Sequence, residues 1–299
     1  MKSNDNKDNK KNLSKRLIWR SIGLLATTLC LIFFIIGWIE LRHDVENKNK
    51  EKENIDVCIE VKGQSIYIDD DEVYRFLPVP GGTISVSDSS GTRMLSVETF
   101  LLGEIPVSNR LQYYVVDSAK VSDKVADKYM SFPGYEGTLE QWNNFIEKLN
   151  KITGHKFRLP TNDEWEYAAR GGKSTSNYKY AGSNDIEKVA YYKDNCAGRD
   201  AFALKCQLPN ELGFYDMSGG LWEITSTRII DVFPNIKQLV TMILMNPEQN
   251  PEMTENAKKY ETACICRGGG YDSSAKECEL NYRSSMIRHQ TGARLVMEY

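Results

Sequence analysis

The residues of this 299-residue chain that could do chemistry lie mainly in its last third, and the first group is a pair of carboxylates. Asp216 and Glu223 flank the glycine turn formed by Gly219 and Gly220. Two carboxylates beside such a turn suit a hard cation, which prefers oxygen ligands. The same side chains could instead simply accept hydrogen bonds from the backbone N–H groups of a tight turn. The spacing therefore indicates a candidate site for a hard cation, with a purely structural alternative.

Cysteines form the second group. Six of the seven come after residue 57: Cys58, Cys196, Cys206, Cys264, Cys266 and Cys278. An even number permits full disulfide pairing, but the sequence cannot choose among the pairings. Cys264 and Cys266 are spaced to lie on one face of a strand. Buried or disulfide-paired structural cysteines are the simple interpretation of this group.

Two helices are predicted upstream of these groups. Thr138 opens an amphipathic stretch that ends at Gly154, with Trp142, Phe145, Ile146 and Leu149 at helical spacing. The second helix starts after Thr161, which can cap it with Glu164 three residues on, and it ends at Gly171 and Gly172. These helices should hold the middle of the domain in place.

Strands and loops are predicted for the rest of the domain. Residues 57–68 and 83–86 alternate apolar and polar residues as strands do, and residues 78–82 read as a turn between them. The chain beyond the second helix is mostly rich in Gly, Asn and aromatic residues, which favours short strands and long structured loops. Residues 226–265 match no motif.

Composition and charge bound the class of protein. Hydrophobic residues make up 41% and aromatic residues 10% of the chain, enough for a packed core. The net charge of −3 combines a basic first 20 residues with an acidic remainder. The body therefore has no basic surface of the kind that binds nucleic acid.

An uncharged apolar run at residues 21–39 predicts one transmembrane helix, because its length crosses a hydrocarbon core of about 30 Å. It lacks the short apolar region and small-residue cleavage site of a signal peptide and is interpreted as a signal-anchor. Lys and Arg concentrate before the run, which predicts a cytoplasmic N-terminus and a periplasmic or extracellular C-terminal domain. The predicted organisation is a basic tail at 1–20, the membrane helix at 21–39, a charged stalk at 40–54 and one domain at 55–299.

Several motifs in this domain resemble those of the formylglycine-generating-enzyme (sulfatase-modifying factor) family. They read, in order, VPGGT at 79–83, FLLGEIPVSN at 100–109, FRLPTNDEWEYAARGG at 157–172, NELGFYDMSGGLWE at 210–223, RGGGY at 267–271, and GARL at 292–295. The resemblance covers the whole domain, and the motif at 157–172 is highly specific. It implies an α+β fold, a variant of the C-type-lectin architecture with little regular secondary structure.

The resemblance also implies two sites. Calcium would be bound by Asp216, the carbonyl oxygens of Gly219 and Leu221, and Glu223. In the active enzymes two cysteines, five residues apart, bind copper(I) and oxidise a substrate cysteine to formylglycine, beside a tryptophan that matches Trp222.

The two cysteine positions are Ser273 and Cys278 in this chain. A serine hydroxyl is a hard, poor ligand for copper(I), so the two-thiolate site cannot form from this pair. A rearranged copper(I) site made of Cys264, Cys266 and Cys278 is one hypothesis, since soft sulfur selects copper(I); buried or disulfide-paired structural cysteines are the simpler interpretation. Gly270 also stands where the family has serine. An iron site of the kind found in related sulfoxide synthases has poor support, because only His155 and His289 lie in the domain. The motif arginines, Arg158, Arg170, Arg267, Arg283 and Arg294, are predicted to satisfy carbonyl groups of a loop-rich core.

The sequence therefore leaves two alternative hypotheses for the function. The first is a binding or structural derivative of the family, anchored at the membrane, whose cleft takes a peptide, glycan or partner protein, with residues 273–290 as its variable surface. The second is an active formylglycine-generating oxidase that uses Cys278 with another thiol.

Overall fold

The chain separates into two units, Met1–Asp56 and Val57–Tyr299. The computed structural model describes residues 58–88, 91–116, 132–134, 138–196, 202–249, 251–285 and 291–298, all of them in the second unit. The predicted basic tail, transmembrane helix and stalk lie outside these residues. Among the described residues, no helix has the length and apolar character needed to cross a bilayer.

A six-stranded antiparallel sheet forms one side of the domain. Its strands lie in the order β1-β2-β3-β6-β14-β7, with bounds Ile59–Lys62, Ser65–Ile68, Asp71–Val79, Phe100–Gly103, Val296–Met297 and Phe157–Arg158. The last strand of the chain, β14, pairs with both β6 and β7. The sheet therefore joins the start, the middle and the end of the domain.

The strands predicted at 57–68 and 83–86 are confirmed as β1, β2 and β4 (Gly82–Asp88), but the predicted turn at 78–82 is wrong in its first half. Pro78 and Val79 still belong to β3, where they pair with β6. Strand β2 pairs only with the first part of β3, up to Arg75. Pro78 therefore has one neighbouring strand, and its missing N–H leaves no ladder bond unmade on the other side.

Three smaller sheets complete the strand content of the described residues. β4 (Gly82–Asp88) and β5 (Gly91–Val97) form a hairpin. β8 (Ala190–Tyr191) pairs in parallel with β9 (Ser218–Gly219). A four-stranded sheet has the order β12-β11-β10-β13, with bounds Ser284–Ser285, Cys264–Arg267, Glu223–Arg228 and Gly292–Ala293.

Three helices pack on this framework: α1 (Asn109–Val116), α2 (Leu139–Thr153) and α3 (Asn162–Ala169). The prediction for α2 is confirmed, since Thr138 accepts from the N–H of Gln141 and the helix ends at Gly154 in the left-handed region. The capping box between Thr161 and Glu164 is confirmed for α3. Helix α1 packs against α2 and β3, α2 also packs against β1 and β7, and α3 packs against β5, β10 and β11.

The region without a motif, 226–265, forms a helical insert. It leaves β10 and returns to β11, its antiparallel neighbour, through α4 (Ile229–Val232), α5 (Pro234–Met245) and α6 (Pro251–Thr262). Its apolar contacts form small separate clusters, one of them made of Ile230, Val240 and Ala257. Within the described residues the domain is therefore a mixed α+β fold with one helical excursion.

Candidate functional site

Glu223, at the start of β10, lies in a fully buried polar network. Both carboxylate oxygens accept from Arg294: Nε to Oε2 at 3.1 Å and Nη2 to Oε1 at 2.8 Å. Trp165 of α3 donates its indole N–H to Oε2 at 2.8 Å. Arg294 also donates to the carbonyls of Gly103 and Tyr215. Glu223 thus ties β10 to α3, β6 and the chain end through charge-assisted hydrogen bonds, which are stronger than neutral ones.

Asp216 is buried nearby in the left-handed region, with φ of 58°. Its Oδ2 accepts from the backbone N–H of Lys205 at 2.9 Å. Burial raises the pKa of Asp216 to about 6, and the negative charge of Glu223 adds to this, while the bond from Lys205 and the charge of Arg294 partly offset it. The charge of Asp216 is therefore only partly compensated by its protein neighbours.

The glycine turn between the two carboxylates is sterically required. A Cβ atom at Gly219 would collide with the backbone carbonyl of Tyr191, and at Gly220 it would meet the ring of Phe202. Gly219 lies at φ of 74° in β9, and its N–H donates to the carbonyl of Gly268. The turn thus brings three chain segments together at Asp216.

The donor set fits calcium in type: Asp216 offers a carboxylate whose charge is under-compensated, and Gly219 and Leu221 offer carbonyl oxygens. Glu223 is the weaker ligand, because Arg294 already balances its charge. The described part of the chain has no group of three or more His, Cys, Asp or Glu side chains placed to hold a metal ion. Asp216 and the two carbonyls would bear most of the coordination.

Ser273 uses its hydroxyl to close a turn. Its Oγ accepts from the N–H of Gly270 at 2.9 Å, its own N–H donates to the carbonyl of Gly270, and its carbonyl accepts from the N–H of Lys193. The side chain is buried. Serine here fixes the loop after β11, which is a local structural role.

Cys278 is fully buried in a cluster with Tyr180, Val189, Ala190 and Tyr192. The loop packs so tightly that a Cβ at Gly269 would lie 2.7 Å from its Sγ. Burial raises the pKa of the Cys278 thiol to about 12. The thiol is therefore protonated near neutral pH, and a protonated thiol is a poor nucleophile and a poor metal ligand.

The other candidate thiols lie in a different part of the core. Cys264 and Cys266, in β11, belong to the main hydrophobic cluster and not to that of Cys278. Burial raises the pKa of Cys264 to about 11 and that of Cys266 further still. The described cysteines form no disulfide. The structure thus places the three thiols of the copper hypothesis in two separate clusters.

Trp222 is buried and belongs to the main hydrophobic cluster, together with Cys264 and Cys266. Its ring centroid is 6.0 Å from that of Tyr282. A Cβ added at Gly270 would lie 3.2 Å from Cδ1 of Trp222, so the indole occupies part of the space that a side chain at 270 would need. Trp222 packs as a core residue against the loop that carries Ser273.

A cluster of arginines around Glu166 was not foreseen in this form. Glu166 of α3 is fully buried and pairs with Arg93 at 2.5 Å, Arg170 at 2.9 Å, Arg267 at 3.0 Å and Arg283 at 3.3 Å. The last three were predicted to be structural. Arg93 comes from β5, outside every motif, and only the long-range fold brings it to Glu166.

An open groove of about 460 Å³ lies beside this cluster. Its walls come from β4 (Ser85 to Ser87), the end of α3 (Arg170), residues 177–179 and residues 279–281. The last two segments are joined by the bond from the N–H of Leu280 to the carbonyl of Lys179. The segment at 279–281 belongs to the predicted variable surface at 273–290, so part of that surface lines the groove.

The motifs, the fold and these buried networks together define a member of the FGE-sulfatase family. The model of that family, described as the sulfatase-modifying factor enzyme 1-like domain, matches residues 68–299. The chain belongs to this family. Among curated relatives, the chaperone protein LppX of Paenibacillus barcinonensis is 32% identical over an alignment of 146 residues, and the match covers 42% of this chain and 42% of that protein. The match thus spans less than half of that relative.

Solved structures show the same fold at low identity. Treponema denticola variable protein 1 superposes with a TM-score of 0.60 at 18% identity, covering 79% of this chain and 98% of that one. CarF superposes at 0.51 with 16% identity, covering 75% and 98%. PvdO from Pseudomonas aeruginosa superposes at 0.50 with 15% identity, covering 75% and 94%. Identities this low establish the architecture alone.

Proposed function

We propose that this protein is a non-catalytic member of the FGE-sulfatase family that binds a peptide, glycan or partner protein. The observation that carries the proposal is what the side chains do at the two positions that match the copper-binding cysteines of the family. The hydroxyl of Ser273 closes a turn, and Cys278 is a buried thiol whose pKa is raised to about 12. Neither side chain is available as a thiolate, which the two-cysteine copper chemistry requires.

Two further observations support a binding role. Residues 279–281 line an open polar groove. They belong to the segment 273–290, which we infer to be the variable ligand-facing surface of a C-type-lectin-like domain. One relative is named a chaperone protein, and chaperones act by binding other proteins. The groove offers both hydrogen-bonding and charged groups, as binding sites for polar ligands do.

Calcium, in this proposal, stabilises the turn at 216–223. Asp216 and the carbonyl oxygens of Gly219 and Leu221 would hold the ion, with Glu223 behind them. A bound cation supplies positive charge beside Asp216, whose pKa is raised by burial. Calcium binding would leave the backbone conformation and the hydrogen bonds of the turn unchanged. The ion would therefore have only a structural role.

Membrane anchoring is also part of the proposal. The apolar run at 21–39 and the basic residues before it support a single-pass protein with a cytoplasmic N-terminus. The domain would then work in the periplasm or outside the cell. The charged segment at 40–54 would act as a solvated stalk.

The alternative, an oxidase that uses Cys278 with another thiol, is tested directly. The purified full-length chain is loaded with copper(I) and offered a Cys-x-Pro-x-Arg peptide, and aldehyde is captured with an aminooxy probe. We expect no aldehyde. Aldehyde that disappears in Cys278→Ser, but persists when the exposed Cys58 is changed to Ser, would establish the oxidase instead.

A further inference from the structure

The cluster around Glu166 carries more positive than negative charge. Four guanidinium groups pair with one buried carboxylate, and the side chains of Arg267 and Arg170 are 0% and 11% exposed. Asp163 lies 3.7 Å from Arg93 but is 55% exposed, so solvent screens much of its charge. Among the described residues, the buried Nε atoms of Arg93 and Arg267 have no hydrogen-bond partner. The cluster thus has unused donors and an excess of positive charge.

The titration behaviour of the cluster agrees with this excess. Burial alone raises the pKa of Glu166, but the four guanidiniums more than offset it, so the pKa is lowered. Burial, together with the neighbouring guanidiniums Arg283, Arg170 and Arg93, lowers the pKa of Arg267 to about 10, although Glu166 opposes this. The arginines repel one another, and an additional anion nearby would relieve that repulsion.

The groove lies directly against this cluster. Arg170 is part of its wall. Arg93 pairs with Val86 across the β4–β5 hairpin, and Val86 lines the groove on the β4 side. Two of the four arginines are therefore in the wall or one strand away from it.

The opposite wall is connected to the other two arginines. Arg267 donates to the carbonyl of Leu280 at 2.6 Å, and Leu280 lines the groove. Arg283 comes two residues after Asn281, another wall residue. Arg170 thus lines one cavity of about 460 Å³, a volume in the range of small-molecule sites. Each of the other three arginines pairs with, bonds to or follows closely a residue of its wall.

The remaining lining is neutral and hydrogen-bonding. Ser85 and Ser87 supply hydroxyls, Asn177 and Asn281 supply amides, and Tyr178 supplies a half-buried ring. The lining also holds one acid, Glu279, but Lys179 pairs with it at 3.0 Å. The opposite charges of Lys179 and Glu279 cancel each other within the wall, so Glu279 does not offset the positive charge of the arginines.

We propose that the groove binds a monosaccharide-sized polyol that carries one oxyanionic group, a carboxylate or a sulfate. The oxyanion lies at the Arg170 end of the groove. Because Nε and Nη2 of Arg170 already pair with Glu166, the oxyanion meets the remaining guanidinium N–H groups, which can contact it at two points. The hydroxyls of the sugar meet the serine and asparagine side chains, and Tyr178 covers one face of its ring. This inference names the ligand class of the proposed binding function and rests on it.

The test is titration calorimetry on the purified full-length chain in detergent micelles, with glucuronate, glucose 6-sulfate and glucose as probes. We expect at least one anionic sugar to bind more tightly than glucose, with an affinity that falls as salt is added. Arg170→Lys keeps the charge but loses the fork, and we expect it to weaken binding by about tenfold, the equivalent of one charge-assisted hydrogen bond.

Arg158→Lys is the matched control, because Arg158 also pairs with a glutamate of α3, Glu164, but lies outside the groove. It should leave binding unchanged. If Arg170→Lys does not fold, Tyr178→Ala should weaken binding without touching the arginines. No binding of either anionic sugar, or equal binding of glucose, would overturn the inference. The aldehyde assay decides the non-catalytic assignment separately, so the two failures are distinguishable.

Discussion

Two buried glutamates show how differently this protein balances charge at single residues. Glu223 meets one guanidinium, Arg294, and one indole N–H. Glu166 meets four guanidiniums. The charges of Glu223 and Arg294 balance each other. Around Glu166 the positive charges outnumber the negative charge, and Arg170 of this cluster lines a groove. Both glutamates come from family motifs, but only the cluster around Glu166 has a surface on which a ligand can act.

Glu223→Ala should destabilise the domain strongly even without calcium. It would leave the buried Arg294 and the indole N–H of Trp165 without their acceptor, and removing one partner of a buried ion pair costs about 3–5 kcal/mol. Urea unfolding measures the loss. Glu298→Ala, which removes a half-exposed partner of Arg158, is the control and should change stability by less than about 1 kcal/mol. A similar small effect at both positions would contradict the role given to Glu223.

Asp216 should give the domain a measurable pH dependence. Its pKa in the folded protein, about 6, is above the ordinary value of 3.8, so the folded state binds the proton more tightly than the unfolded state does. The contribution of Asp216 to stability must then fall as pH rises from about 4 to 6, by about 1–3 kcal/mol. The difference in unfolding free energy between the wild type and Asp216→Asn, measured with EDTA across this range, isolates it from Glu72, Glu164 and Glu166.

The predicted effect of calcium on stability also depends on Asp216. A bound cation favours the charged form of Asp216, so added calcium should abolish this fall in stability and raise the melting temperature at pH 7. Asp216→Asn should lose most of that rise. Glu223→Ala is unsuitable for the purpose because it also breaks the pair with Arg294. Identical melting curves with calcium and with EDTA would remove calcium from the proposal.

The helical insert is the element that departs most from the rest of the domain. It joins β10 to β11, and Arg228 and Cys264, at the two ends of the insert, are direct partners in the ladder. The pairing of β10 with β11 is therefore complete without the insert. Many of its apolar side chains are exposed, among them Leu239, Met242 and Met245. Its own cluster around Val240 is small. The insert should therefore open more easily than the sheet.

Val240→Asp should unfold the insert and leave the sheets intact, because a charge would enter a cluster that the main core does not share. Hydrogen exchange read by mass spectrometry should show lost protection at 229–262 and retained protection in β3, β6 and β14. Leu239→Asp is the matched control: its side chain is 51% exposed, and protection should stay unchanged. Loss of protection throughout the domain would show that the insert is part of the cooperative core.

Elements with local signals could be predicted from sequence, and the insert could not. Thr138, Gly154 and the Thr161–Glu164 box act within one helical turn, so their positions are legible before any fold is known. α5 begins after Phe233 with no side-chain cap, and its exposed apolar residues hide the usual amphipathic pattern. Pro234 and Pro251, each at the first position of a helix, were the available signals.

At the scale of the whole molecule, the motifs predicted the family and the α+β class, since they recur in order along the domain. The pairing of arginines with carboxylates could not be predicted in the same way. Arg93 and Glu166 are 73 residues apart, and Arg294 and Glu223 are 71 residues apart. Partner choice over such distances depends on how the sheets and loops assemble. Burial, which sets the pKa of Cys278, likewise depends on packing and not on spacing.

The proposed anchor is tested on the whole chain. Membranes from cells that produce the protein are washed with alkaline carbonate, and we expect the protein to stay in the pellet, as an integral protein with a span of about 20 apolar residues does. A variant without residues 21–39 should move to the soluble fraction. Release of the full-length chain by carbonate would disprove the span at 21–39.

The buried thiols can report on motions of the domain. Cys196, Cys264, Cys266 and Cys278 are all unpaired and buried. Cys264 and Cys266 share β11 and the main hydrophobic cluster, whereas Cys278 lies in another cluster. Under native conditions each one can react with a disulfide reagent only when its surroundings open. Reaction rates at each cysteine, resolved by peptide mapping, therefore report the opening free energy of separate parts of one molecule, without any introduced label.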